Sequence, residues 1–115
     1  MTQYLISFND GAMDHIPDED WADVGKASHA VVQEAVNAGV WVYGGGLERQ
    51  KASIVATDGM VTDGPYPETK EVIGGFSLVD VPSREEALAW AAKIAAACRC
   101  AQEVREFMSD PAVGN

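Results

Sequence analysis

Asp63-Gly64-Pro65-Tyr66-Pro67-Glu68-Thr69-Lys70-Glu71-Val72-Ile73-Gly74-Gly75-Phe76 begins as a stiff turn and ends as a strand. Gly64 brings backbone freedom, whereas Pro65 and Pro67 each fix φ and remove a backbone donor. The residues before the prolines, Gly64 and Tyr66, are pushed towards extended conformations. Asp63, Glu68, Lys70 and Glu71 therefore ride on a rigid connector. Gly74-Gly75 opens the apolar run Phe76-Ser77-Leu78-Val79-Asp80-Val81, and paired glycines in a strand mark a bulge or a close approach to the backbone.

Upstream, Ser53–Thr57 and Met60–Thr62 flank Asp58-Gly59, which signals a two-residue hairpin. Before it, Val40-Trp41-Val42-Tyr43 is a strand rich in β-branched and aromatic residues. Gly44-Gly45-Gly46 follows. These glycines lack the Lys-Ser/Thr of a phosphate-binding loop and precede strand-like sequence, so a bulged strand or close-packing bend is the expectation. Tyr4–Phe8 reads as the first strand. Only Ser7 interrupts its apolar character, which places it centrally in a sheet. Asp18 is positioned to cap a helix running to about Asn37, with Trp21, Val24, Ser28, Val31, Val32 and Ala35 along one side. Downstream, Ser83 and Glu86 have the spacing of a capping box, and Leu88, Trp90, Ala91, Ile94 and Ala95 supply that second helix with apolar contacts. It ends near Cys98 to Cys100. Gln102–Met108 alternates as a last strand.

Without the hairpin the order is β-α-β-β-α-β. That is the ferredoxin-like α+β pattern, an antiparallel sheet covered by two helices on one face. The other face, apolar as well, needs a partner. One domain spanning residues 1–108 with a tail over 109–115 accounts for the chain.

The run DGPYPETKEVIGGF resembles the signature of the YCII-related proteins, in particular their DGPF branch, with Tyr66 in place of the Phe. The first strand and the Gly39–Leu47 segment are similar as well. The resemblance implies a homodimeric α+β barrel. It also implies an active-site pair made by a His on the first helix and an Asp from the later loop, which fall here on His29 and Asp63. A dehydrochlorinase in the wider family is one precedent for chemistry, and the genes of DGPF proteins often lie beside those of extracytoplasmic-function sigma factors.

The 115 residues carry a net charge of −10. That disfavours nucleic acid and anionic lipid, because phosphate recognition needs clustered Lys/Arg, and Arg49 with Lys51 is the nearest approach to a cluster. The start of the chain has neither a basic region nor a long apolar run, so a cytoplasmic protein is expected. Cys98 and Cys100 lack the further ligands of a metal site and read as reduced thiols. Neither metal nor cofactor is expected.

His29 lies at the border of the first helix's apolar side. A carboxylate on one imidazole nitrogen fixes the tautomer and raises the basicity of the other, so His29 with Asp63 would form a general acid–base pair. The structural alternatives are that His29 closes the edge of the core and that Asp63 holds the turn through backbone amides. Tyr43, Tyr66, Glu68 and Lys70 are the candidate substrate-binding residues. Gly25, one turn before His29, leaves room for a small pocket. Two functional classes follow. One is a small cofactor-free enzyme of lyase, dehydrochlorinase or isomerase type acting on a small organic molecule. The other is a non-catalytic dimeric binding or regulatory module, for instance a sigma-factor accessory. The enzyme reading expects a closed polar pocket holding His29 and Asp63 together, and the binding-module reading expects them apart.

Overall fold

The computed structural model describes residues 1–49, 52–65 and 72–115. Strands β1 (Thr2–Asn9), β2 (Trp41–Gly46), β5 (Ile73–Val81) and β6 (Glu103–Glu106) form one sheet in the order β2-β5-β1-β6. All neighbours in it are antiparallel. Strands β3 (Ala52–Val55) and β4 (Val61–Gly64) form a separate hairpin. Helices α1 (Trp21–Asn37) and α2 (Arg84–Cys98) pack on each other and on one face of the sheet. This is the ferredoxin-like arrangement that the element order implies. Among the described residues, no helix is long and apolar enough to cross a membrane.

β1 is central, as its two-sided apolar character predicts. Alternation divides its side chains. Tyr4 and Ile6, with Val79 and Val81 of β5, face the helices and meet Ala35, Ala87 and Ala91. Ile6, Val79 and Val81 are fully buried. Each such side chain contributes about 1.5–3 kcal/mol through removal from water. The opposite alternation sends Leu5, Leu78, Phe76 and Tyr43 to the outer face, where the Tyr43 and Phe76 rings lie 6.5 Å apart.

Several local expectations change. Asp18 does not cap α1. Residues Asp18–Asp20 form a 3-10 turn after an extended Pro17, and no side-chain cap bond is made at the start of that turn or of α1. The Asp20 carboxylate accepts instead from Arg99 at 2.7 Å, tying the start of α1 to the end of α2. Trp21 is 42% exposed and Leu88 44% exposed. The buried positions of α2 are Ala87 and Ala91, one residue out of phase with Leu88. Ser83 does cap α2, with its Oγ accepting from the Glu86 amide at 3.2 Å. The last strand is shorter than its alternation suggests, at Glu103–Glu106.

The hairpin turn is also longer than two residues. Ala56 N–H donates to the Met60 carbonyl at 2.8 Å, and Gly59 takes φ +88° inside that closing pair. A left-handed Gly at the end of a three-residue loop matches the strand twist. The hairpin's strands pair with each other and pack on neither helix nor the main sheet among the described residues. Val55, Met60 and Val61 on it are more than 60% exposed. It is an arm.

Candidate functional site

The two glycine runs act at the sheet. β1 and β5 change register between Phe8 and Asn9, where Phe8 faces Gly75 and Asn9 faces Ile73, so Gly74 is the extra residue of a bulge. A Cβ on Gly74 would come within 2.9 Å of the Asp10 backbone nitrogen. A Cβ on Gly75 would come within 2.5 Å of the Phe8 ring. A Cβ on Gly44 would meet the Phe76 carbonyl oxygen at 2.5 Å and the Trp41 ring at 2.8 Å. Bare backbone thus seats Phe8 over Gly75 and Trp41 over Gly44. Gly44-Gly45-Gly46 continues β2 rather than cradling phosphate, and the bulge in β2 falls earlier, between Trp41 and Tyr43.

These two rings form part of a cavity of about 390 Å³ between the helices and the sheet. That is within the range of small-molecule sites, roughly 300–1,000 Å³. Val31 and Val32 of α1, Ile94 of α2 and Met13 add apolar walls. Ser28, His29, Ser77, Cys98 and Gln102 contribute the polar groups. Burial, helped by the neighbouring Cys100, pushes the Cys98 thiol above the ordinary range, so it stays protonated at neutral pH. Ser28 Oγ donates to the Gly25 carbonyl at 3.0 Å, while a Cβ on Gly25 would meet nothing within 4 Å. Gly25 therefore leaves open space on α1 without itself lining the cavity.

Of the expected site residues, His29 lines this cavity as an exposed residue at its rim. Asp63 does not. It is exposed on β4, opposite Ser53, and no hydrogen bond joins it to His29. The chain does not bring the two together within itself: among the described residues β4, which carries Asp63, has its substantial contacts with β3 and not with the helices. Tyr43 is also outside the cavity: the register of β2 puts it on the outer face, 66% exposed. Tyr66, Glu68 and Lys70 lie outside the described residues. Phe8, Trp41 and Cys98 were not singled out by sequence reasoning. For Phe8 the usable signal is pairing, since it sits across from Gly75, whereas Trp41 pairs with Val79 and lies over Gly44 of its own strand. Among the described residues, no three His, Cys, Asp or Glu side chains are grouped as a metal site requires.

Residues 14–109 match the model of the YCII-related domain, most of the chain. The chain belongs to the YCII-related family. No curated protein matches the sequence. Among solved structures, this YCII-related chain is similar to the 5-chloro-2-hydroxyhydroquinone dehydrochlorinase TftG from Burkholderia phenoliruptrix AC1100, solved in complex with 2,5-dihydroxybenzoquinone. The TM-score is 0.55 and the identity 14%, with 96% of this chain and 97% of that one covered. At that identity the likeness concerns the fold.

Proposed function

We propose that this YCII-related protein is a small cofactor-free enzyme whose cavity takes a small, flat, largely apolar molecule bearing a few hydroxyl or oxo groups. The observation carrying this reading is the cavity itself: two aromatic rings seated on glycine, aliphatic walls from both helices, and polar groups confined to a few positions. The dehydrochlorinase of the same fold, with its bound dihydroxybenzoquinone, supports a ring compound as the ligand class. His29 is the proton-transfer group. In a dehydrochlorination its neutral imidazole takes a proton from one ring hydroxyl and returns it to the chlorine-bearing ring carbon, which becomes sp3 as that hydroxyl becomes a ketone; a second ring hydroxyl then gives up its proton, its electron pair moves through the ring, and the C–Cl bond breaks as chloride leaves a quinone behind. Lyase and isomerase reactions of such compounds use the same proton transfer.

A second reading, a non-catalytic binding or regulatory module, is favoured by one observation: Asp63 stands apart from His29. One experiment separates the two. 2,5-Dihydroxybenzoquinone is titrated into ¹⁵N-labelled protein, and chloride release from 5-chloro-2-hydroxyhydroquinone is followed in parallel. The enzyme reading expects amide shifts at Ser28, Val32, Gly45 and Ser77 together with catalysed chloride release. Shifts without release of chloride, or of any other product from related ring compounds, would leave the binding module. No shifts at these amides would remove both the cavity and the ligand class.

We further propose a homodimer packed through the outer face of the sheet, where Leu5, Phe76, Leu78 and Tyr43 form an apolar surface that neither helix covers. With no contact inside the chain, an Asp63–His29 pair needs the arm of a second copy. Tyr66, Glu68 and Lys70, which follow Asp63 in sequence, would then bind substrate from the same arm. Sedimentation velocity should return twice the chain mass for the native protein, and Leu78→Glu should return the single-chain mass. A native monomer at micromolar concentration would overturn the dimer.

A further inference from the structure

A second, wider concavity of about 590 Å³ adjoins the cavity, and the two share Phe8, Met13 and Gly46. We read it as an antechamber to the inner space. Its rim is charged: Asp10, Asp14 and Glu48 stand there with Arg49. The Arg49 guanidinium donates from Nε to Asp10 at 2.9 Å and from Nη2 to Asp14 at 2.5 Å. Asp10 and Asp14 bracket Met13, which belongs to both concavities. Arg49 lies three positions beyond Gly46, which also belongs to both.

The loop is shaped for this arrangement. Gly11 takes φ +85°, and a Cβ there would lie 3.4 Å from Asp14 and 3.6 Å from Arg49. Successive turns, Ala12 to Asn9 and Asp14 to Gly11, fold the loop so that both carboxylates face one guanidinium. Ile16, 4% exposed, anchors its far end. Between that anchor and β1, the two ion pairs join the loop to the segment after β2.

We propose that Arg49 is a positioning residue, a two-point clamp that holds the Met13 loop across the passage between antechamber and cavity and so sets the rate at which small molecules reach the inner space. All three side chains are substantially exposed, between 44% and 61%. Exposed ion pairs are weak and salt-sensitive, so the clamp opens readily. That property suits a gate rather than a wall. The inference rests on the cavity's geometry and stands whether or not the ring-compound reading holds.

Cys98 reports on the passage, because it lines the inner cavity and not the antechamber. The experiment is alkylation by iodoacetamide, a small neutral reagent, in the full chain carrying Cys100→Ser, at one fixed pH. Arg49→Gln should raise the Cys98 rate constant by roughly fivefold, the scale on which exposed ion pairs shift an opening equilibrium. The double variant Asp10→Asn with Asp14→Asn should match it. Arg49→Lys should fall between, since one ammonium lacks the fork that spans two carboxylates. Molar potassium chloride should speed the parent protein towards the Arg49→Gln rate and leave Arg49→Gln unchanged. Equal rates in parent and Arg49→Gln would overturn the clamp. So would a salt effect of equal size in both, because it would not pass through Arg49. Unaltered thermal midpoints across the series separate this role from a loss of folding.

Discussion

His29→Gln should lower kcat/KM for chloride release from 5-chloro-2-hydroxyhydroquinone by about 10²- to 10⁴-fold, the usual worth of a positioned acid–base group. Glutamine keeps the polarity and much of the size of the imidazole, so binding of 2,5-dihydroxybenzoquinone should stay within a few-fold of the native value. The loss should lie in kcat, as expected for an interaction made only in the transition state. On the acid–base reading, its exposed position at the cavity rim would let His29 exchange its proton with solvent between turnovers. The companion measurement is the NMR titration of His29 in native protein and in Asp63→Asn, with His15→Gln assigning the second imidazole. A carboxylate beside the imidazole raises its pKa, and removing that carboxylate lowers it. A shift that disappears on dilution to monomer would place Asp63 of a second copy beside His29. An unchanged His29 would leave Asp63 as a residue of the arm, and an unchanged kcat in His29→Gln would end the acid–base reading.

Gly44→Ala should destabilise the fold by about 3 kcal/mol, the upper end of the usual cost of overpacking. The new methyl would meet the Phe76 carbonyl oxygen at 2.5 Å and the Ser77 Cα at 2.9 Å, both main-chain atoms of β5. Neither can turn away as a side chain would. β2 must then separate locally from β5, and Trp41, whose ring would lie 2.8 Å from the methyl, must shift as well. For a chain of 115 residues the cost corresponds to a fall of about 10 °C in Tm. Gly45→Ala is the control, since nothing lies within 4 Å of a Cβ there. Differential scanning calorimetry of both variants checks the pair, and equal midpoints would remove the seating argument.

The fold was legible because its signals are periodic and local. Alternation in β1 and β5, the Asp58-Gly59 turn, the Ser83 cap and the bulge at Gly74 all depend on neighbours in sequence. The site was legible only in part. His29 could be placed at a border by helical periodicity, and it lines the cavity. Asp63 was joined to it by family resemblance, whereas its position depends on the direction in which an arm leaves the sheet. No local pattern encodes that direction. Tyr43 went to the wrong face because one bulge between Trp41 and Tyr43 shifts the alternation of β2, and a single inserted residue exchanges the two faces. Phe8 and Trp41 were hidden for the reverse reason. Each looks like an ordinary core aromatic, but register sets Phe8 opposite Gly75, and the bulge in β2 lays Trp41 over Gly44 of its own strand.

The glycine seats have a consequence for how this cavity can change over evolution. Where Phe8 and Trp41 rest, the floor is main chain, and its shape is tied to the hydrogen-bond ladder of β2, β5 and β1. Substitutions there are filtered by stability before they can be filtered by ligand preference. The roof is different. Val31, Val32 and Ile94 belong to helices and can change size with modest cost. A lineage built on this plan can therefore diversify what it binds from one side only, keeping two fixed rings and redrawing the opposite wall.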